Sequence, residues 1–257
     1  GVRFTVKEKI DQEKRSEEDI PKGIVKFLVD VYDETGETAS GYREFGFFPG
    51  AFINMLALLG WNPGTEQEIF DLKGLVDAFD LSKVSKSGAK FDFEKGKWFN
   101  QLYLRDLSEV ELAHELKNVL DNEGLSYNEA HLGTIATMMS ERATFPQDLL
   151  EEGRFLFETP ADYDEKTRAK KWNEESAPMM KDLAARFNAL PDFTSDAIEA
   201  CFKGYLAEKE LGFGKVGPSF RLAVTGKGMG PSMFTICAVL GKDEVLARIS
   251  KAIEVLG

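Results

Sequence analysis

Signals for the start and the end of a helix recur along most of this 257-residue chain, and they constrain its fold more than any other feature. Three pairs have the spacing of capping boxes, in which side-chain oxygens accept hydrogen bonds from the first amides of a helix: Thr65 with Glu68, Ser108 with Glu111, and Ser126 with Glu129. Further predicted starts are Pro49, Asp92, Pro146, Asp164, Ser176, Ser195, Pro218 and Pro231, and predicted ends are Gly60, Gly124, Gly226 and Gly241. The short loops between these signals predict an all-α array from about residue 46 onwards.

Residues 1–45 have a different pattern. From residue 25 to residue 31 every second residue is Val or Phe, and the sequence Asp-Glu-Thr-Gly at residues 33–36 is typical of a turn. These features predict a small β-hairpin near the N-terminus, and we expect strand only near residues 24–45. Residues 7–22 are charged and poor in apolar side chains, which predicts a mobile linker.

Cysteine and histidine are scarce. Cys201 and Cys237 cannot form a disulfide framework, and with only His114 and His131 beside them we expect no metal site and a reducing compartment. The most apolar run, residues 47–61, is interrupted by Pro and Gly and is too short to span a bilayer, and no secretion signal is evident. The sequence therefore predicts a cytoplasmic protein without a membrane partner.

The net charge of −12 at first argues against a nucleic-acid partner. The charge is uneven, however. Residues 81–105 carry six Lys or Arg against two acidic residues, and residues 201–257 carry eight against five. An acidic protein with two basic segments can bind a polyanion through them, or the segments can simply be solvated helix faces.

Motifs for chemistry are mostly missing. The glycine-rich segment 226–232 fits neither the P-loop nor the dinucleotide-binding fingerprint. It is either a flexible loop between two helices or a surface on which the backbone approaches a ligand. No Ser/His/Asp set and no close pair of carboxylates stands out, so we assign no catalytic residue.

Several segments carry a more specific signal. They are residues 41–44, 48–61, 79–81 and 84–92, with Trp98, Asn100 and Tyr103 behind them, and residues 207–209, 220–226, 230–231 and 240–241. In order and spacing they resemble the region after the catalytic domain in bacterial glutamyl-tRNA synthetases, a family of class I aminoacyl-tRNA synthetases. The resemblance covers residues 40–257.

The resemblance implies a division of the chain. Residues 1–45 would be a linker and β-hairpin remnant next to a missing catalytic domain, 46–106 a helical stem-contact domain, and 107–154 and 155–257 two helical anticodon-binding subdomains. Family members attach glutamate to tRNA(Glu) with ATP and Mg²⁺. No convincing HIGH or KMSKS motif for ATP is present, so we expect the chain alone to be inactive. The resemblance implies a monomeric fragment that binds tRNA(Glu) and does not bind DNA.

The resemblance also implies site residues. Arg142 matches an arginine that reads the last anticodon base, and Arg221, Pro231 and Met233 match positions near the anticodon. In the basic segment 81–105, Lys86 and Lys90 would contact tRNA phosphates.

Simpler interpretations stay open beside these roles. Arg142 can be an exposed arginine whose charge interacts favourably with the dipole at a helix end. Trp98 and Tyr103 are expected to pack within the protein rather than stack on bases. Asn54 and Asn100 are expected to cap or cross-link helices. The alternative function is a non-enzymatic helical protein-interaction domain whose basic segments are incidental.

Overall fold

The computed structural model describes residues 5–6, 31–32, 38–39, 41–85 and 90–257. The chain divides into two compact units, residues 1–106 (unit 1) and residues 107–257 (unit 2). Most of the described residues in both units are helical, so the prediction of a mainly α fold is confirmed.

Unit 1 contains three described helices. They are α1 Pro49–Gly60, α2 Leu72–Ala78 and α3 Phe93–Asp106, with a 3-10 turn at Leu81–Lys83. Helix α1 has Pro49 at its first position and ends at Gly60, as the sequence predicts. Its residues Ala51 and Met55 form a buried cluster with Phe99 of α3.

Two buried asparagines hold unit 1 together. Asn100 Oδ1 accepts a hydrogen bond from the Phe48 amide at 2.8 Å and so caps the start of α1 from α3. Asn54 Oδ1 accepts from the Phe70 amide at 2.8 Å, while its Nδ2 donates to the Glu68 carbonyl at 3.0 Å. The predicted cross-linking role of both asparagines is confirmed, because each satisfies backbone groups of another segment.

The strands of unit 1 are short. They are β1 Thr5–Val6, β2 Val31–Tyr32 and β3 Thr38–Ala39, paired antiparallel in the order β1-β2-β3. These pairings do not support the predicted β-hairpin, since residues 25–30 and the turn at 33–36 lie outside the described residues, as does the predicted linker at 7–22. Expecting strand only near residues 24–45 was wrong, because a two-residue strand such as β1 leaves no alternating pattern to recognise.

Unit 2 is described throughout and contains no strand. Its helices are α4 Glu109–Glu123, α5 Leu132–Ser140, α6 Pro146–Gly153, α7 Glu165–Lys171, α8 Ser176–Asn188, α9 Ser195–Glu208, α10 Phe213–Thr225, α11 Met233–Leu240 and α12 Lys242–Leu256. The capping box of Ser108 and Glu111 is complete, and Gly124 ends α4 in the left-handed region at φ 68°. Helices α4, α5 and α6 pack on one another, and α12 packs on α8, α10 and α11.

The other two predicted capping boxes do not start helices. Thr65 and Glu68 lie in a loop, and α2 begins later because Asp71 Oδ1 accepts from the Gly74 amide at 2.6 Å. Glu68 instead forms an ion pair with Lys95 of α3 at 2.8 Å. A long-range partner therefore competes with the local capping pattern.

Ser126 and Glu129 form the third predicted box, and it is also wrong. Asn128 Oδ1 accepts from the Ala130 amide at 3.0 Å and starts a 3-10 turn at Glu129–His131. Helix α5 follows directly from that turn, so the start signal was real but lay two residues later.

Two prolines were wrongly predicted to open helices. Pro218 lies inside α10, where proline removes the hydrogen bond to the carbonyl of Gly214. Tertiary packing on α7, α8 and α12 keeps the helix continuous. Pro231 lies before α11, whose first turn is capped by Ser232 Oγ accepting from the Thr235 amide at 3.4 Å.

Arg248 of α12 is buried inside unit 2, at 3% exposure, which the sequence did not predict. Its Nη1 donates to the carbonyls of Phe155 at 2.6 Å and Val224 at 3.0 Å. Its Nε donates to Glu244 Oε1 at 2.7 Å. The Val224 carbonyl lies in the last turn of α10 and has no partner within that helix, so Arg248 satisfies a helix end.

Candidate functional site

Arg142 and Arg221, which come from distant parts of unit 2, lie near enough for the charge of one to act on the other. Arg142 lies in the turn after α5 and is exposed, and its amide donates to the Met139 carbonyl at 3.0 Å. Arg221 lies on α10 and is half-buried. Burial lowers the pKa of Arg221, and the positive charge of Arg142 lowers it further. The folded chain thus brings together two site residues that the sequence predicted separately.

Neither arginine forms an ion pair within the described residues. Two neighbouring guanidinium groups without a carboxylate repel each other and attract an anion. We refer to Arg142, Arg221, Gly230, Pro231 and Met233 together as the arginine surface. Its chemistry suits phosphate oxygens or the acceptor edge of a base.

Pro231 is tied directly to Arg221. Arg221 Nη2 donates to the Pro231 carbonyl at 2.8 Å, across the loop that joins α10 to α11. A Cβ atom at Gly230 would lie 2.9 Å from Arg221 Nη1. In the sequence, this link leaves only a weak signal, a Gly-Pro pair that follows the arginine across one glycine-rich loop.

The glycine-rich segment 226–232 is held in a defined conformation at its N-terminal end. Gly226 adopts φ 70°, and a Cβ atom there would lie 2.6 Å from the Asp162 carbonyl. Thr225 Oγ1 accepts from the Lys227 amide at 3.1 Å. Met229 is 88% exposed at the middle of the segment. The loop therefore has a fixed start and an exposed centre.

Met233 is the first residue of α11 and is only 4% exposed. The next residue, Phe234, packs on the ring of Phe202 with centroids 5.6 Å apart. Any contact of Met233 with a ligand is therefore restricted to its backbone or to its small exposed part.

The basic segment of unit 1 is partly neutralised. Lys95 pairs with Glu68 at 2.8 Å and Lys97 with Glu94 at 3.0 Å. Lys90 is exposed and has no ion-pair partner among the described residues, so its charge is available to a phosphate. Lys86 lies outside the described residues.

The aromatic side chains of this segment mainly pack. Tyr103 is half-buried, and its hydroxyl, which has one hydrogen to donate, lies within hydrogen-bond distance of two acceptors, Asn54 Oδ1 at 3.1 Å and the Phe70 carbonyl, which confirms its packing role. Trp98 is 40% exposed, and its ring meets Phe99 edge to face at 5.0 Å. Trp98 is thus a surface residue that packs with only part of its ring.

Within the described ranges, no group of three or more His, Cys, Asp or Glu could hold a metal ion. No helix in those ranges is long and apolar enough to cross a membrane. Burial raises the pKa of the Cys237 thiol to about 12, which makes it a poor nucleophile.

Comparison with known families agrees with this geometry. Residues 110–253 match the model of the anticodon binding domain, and residues 33–98 match that of the class I tRNA synthetase catalytic domain for glutamate and glutamine. The first match covers more than half of the chain and contains the whole arginine surface. The chain belongs to the anticodon-binding domain family.

The individual relatives are glutamate–tRNA ligases. The enzyme of Phocaeicola vulgatus is 46% identical over 235 residues, and that of Flavobacterium johnsoniae is 44% identical over 234 residues. Each alignment covers 91% of this chain and 46% of the relative, so the chain spans about half the length of these relatives.

A solved relative has the same fold. The crystal structure of a glutamate tRNA ligase from Elizabethkingia meningosepticum, in complex with its amino acid, is 40% identical with a TM-score of 0.82. It matches 87% of this chain, which covers 44% of that structure. The predicted resemblance to the C-terminal part of bacterial glutamyl-tRNA synthetases is confirmed.

Proposed function

We propose that this chain is the tRNA-recognition part of a glutamate–tRNA ligase and that the arginine surface binds the anticodon loop of tRNA(Glu). The observation that carries the proposal is the approach of Arg142 and Arg221 within an anticodon-binding domain, where neither has a carboxylate ion-pair partner among the described residues. A site of this kind needs an anionic or acceptor-rich ligand, and an RNA loop offers both phosphates and splayed base edges.

Arg142 reads the last anticodon base in this proposal. Its side chain is exposed, and the planar guanidinium can donate two parallel hydrogen bonds to one base edge, which lysine cannot do. Arg221, Pro231 and Met233 form the adjoining part of the surface, where an unstacked base is received.

The domains follow from the same proposal. Residues 1–45 are the linker next to the catalytic domain, 46–106 form the stem-contact domain, and 107–154 and 155–257 form the two anticodon-binding subdomains. Lys86 and Lys90 contact phosphates of the tRNA stem, where they position the RNA without reading its sequence.

The whole enzyme then attaches glutamate to tRNA(Glu) with ATP and Mg²⁺, as a monomer in the cytoplasm and without DNA or membrane partners. This chain alone is expected to be inactive. It lacks recognisable ATP-binding motifs. Glutamate-dependent exchange of pyrophosphate into ATP by the purified chain, above a buffer control, would contradict that part of the proposal.

The experiment that tests base reading compares tRNA(Glu) with a variant whose anticodon ends in G instead of C. Arg142→Ala is expected to cost about 1–3 kcal/mol of binding free energy, mostly for the tRNA ending in C, so that discrimination shrinks. Lys90→Ala is the matched control, since it should weaken both tRNAs alike and reduce the salt dependence. An equal loss for both tRNAs with Arg142→Ala would show that Arg142 contacts a phosphate or only a helix end.

An apolar groove on unit 1 favours a second candidate, a protein-interaction domain. The groove has a volume of about 260 Å³ and is lined by Ile53, Ala57, Trp61, Leu72, Leu75, Val76 and Phe79. The buried Trp61 Nε1 has no hydrogen-bond partner among the described residues. Titration with tRNA(Glu) at two salt concentrations separates the candidates, because only the first predicts tight, salt-sensitive binding.

A further inference from the structure

We propose that Arg221 is a positioning residue, which holds the Gly230 and Pro231 segment in place through the Pro231 carbonyl and makes no phosphate contact of its own. The base received at Pro231 is then recognised by a segment that Arg221 has fixed beforehand. This inference rests on the proposed function and assigns a division of labour within the arginine surface.

The hydrogen bond to Pro231 carries the first step. Arg221 Nη2 donates to the Pro231 carbonyl at 2.8 Å, a charge-assisted bond between α10 and the entry to α11. Arg221 is half-buried, so the bond is partly shielded from water and holds its geometry better than an exposed one would.

Gly230 carries the second step. A Cβ atom at this position would lie 2.9 Å from Arg221 Nη1, which is too close for an ordinary contact. The guanidinium therefore occupies the space that a side chain at position 230 would need. The loop backbone and the arginine fit each other directly, as expected for a support and the segment that it holds.

The backbone of Arg221 is tied to the same loop. Thr225 Oγ1 donates to the Arg221 carbonyl at 2.8 Å and accepts from the Lys227 amide at 3.1 Å. The residue thus meets the loop at its start through its own backbone and near its end through its side chain.

Arg142 differs from Arg221 in burial and in position. It is exposed, and its backbone lies in the turn after α5. Repulsion between the two cations favours an outward position of the exposed side chain. Arg142 is therefore free to meet RNA, whereas Nη2 of Arg221 already donates to the Pro231 carbonyl.

The test is a double-mutant cycle on the full chain, with the anticodon stem-loop of tRNA(Glu) as the probe. Arg221→Met and Gly230→Ala are each expected to weaken binding about tenfold. The double variant should also lose about tenfold in affinity, and not the product of the two single losses. The salt dependence should stay unchanged in Arg221→Met, because a residue without a phosphate contact releases no counterions.

Base discrimination separates positioning from a general loss of structure. Arg221→Met and Gly230→Ala should reduce discrimination at the first two anticodon bases and keep it at the third, which Arg142 reads. Additive losses, or a salt dependence that falls in Arg221→Met, would overturn the positioning role. An equal loss at all three bases would overturn it too. If the unaltered chain does not bind the stem-loop, the proposed function itself fails.

Discussion

Replacing Arg248 by Met removes a buried guanidinium and leaves its acceptors in place. The carbonyls of Phe155 and Val224 and the carboxylate of Glu244 would all lose a donor, while the apolar stem of the side chain is roughly preserved. The change therefore isolates the hydrogen bonds from the packing. No comparable change elsewhere in α12 removes so many buried contacts through one side chain.

The expected magnitude follows from these acceptors. A buried carbonyl left without a donor costs about 1–3 kcal/mol, and removing one partner of a buried charged pair costs about 3–5 kcal/mol in all. We expect Arg248→Met to lower the free energy of unfolding by about 3–5 kcal/mol, since both terms describe the same lost donors. Arg248→Lys should recover only part of this loss, because one ammonium cannot reproduce the fork of donors.

Urea denaturation followed by circular dichroism measures this free energy. Lys251→Met is the matched control, since Lys251 lies three residues further along α12 and donates one hydrogen bond to the Pro160 carbonyl at 2.9 Å. Lys251→Met should lower the free energy of unfolding by only about 1 kcal/mol. A loss of less than about 1 kcal/mol in Arg248→Met would refute the reasoning, because the carbonyls would then have other donors.

The pH dependence gives an independent readout of the same contact. The hydrogen bond from Arg248 holds the pKa of Glu244 below its usual value of 4.5. A carboxyl whose pKa is lowered by folding stabilises the protein above its unfolded pKa, and this stabilisation is lost as the pH falls through the folded pKa. Stability should therefore decrease below about pH 4.5 in the unaltered chain and decrease less in Arg248→Met.

Two further predictions concern the glycine-rich loop and the buried thiol. Gly226→Ala should destabilise the chain by at least about 1–2 kcal/mol in the same denaturation assay, because Gly226 has a positive φ and the Asp162 carbonyl lies where the new Cβ atom would be. The control Gly204→Ala, in the open middle of α9, should stabilise the chain by about 0.5–1 kcal/mol. In native buffer, Cys237 should resist alkylation while the half-exposed Cys201 reacts. Peptide mass spectrometry measures the labelling, and equal labelling of both cysteines would contradict the burial of the Cys237 thiol.

Features that depend on neighbouring backbone groups could be predicted from the sequence. Pro49, Ser108, Gly124 and Asp164 act within one helical turn, and each lies at the helix end that its residue type predicts. Glu68 shows where such reasoning fails. Its local pattern is that of a capping box, yet its partner is Lys95 on another helix.

The candidate site could be predicted residue by residue but not as an arrangement. The family resemblance pointed to Arg142 and Arg221 separately. Their proximity, and the bond from Arg221 to Pro231, depend on how α5, α10 and α11 are placed in unit 2. Arg248 did leave a sequence signal, since it lies on the same helix face as Val245 and Ala252, where a charged side chain is unusual.

The pair formed by Arg142 and Arg221 also affects how a polyanion approaches this chain by diffusion. The chain carries a net charge of −12, so most orientations of an approaching RNA meet repulsion, and encounters in those orientations are brief. Because the Debye length is about 8 Å at physiological ionic strength, this selection acts only in the last step of the approach. In the proposed function the two cations act as an orientation filter, which favours the productive encounter before any hydrogen bond to a base has formed.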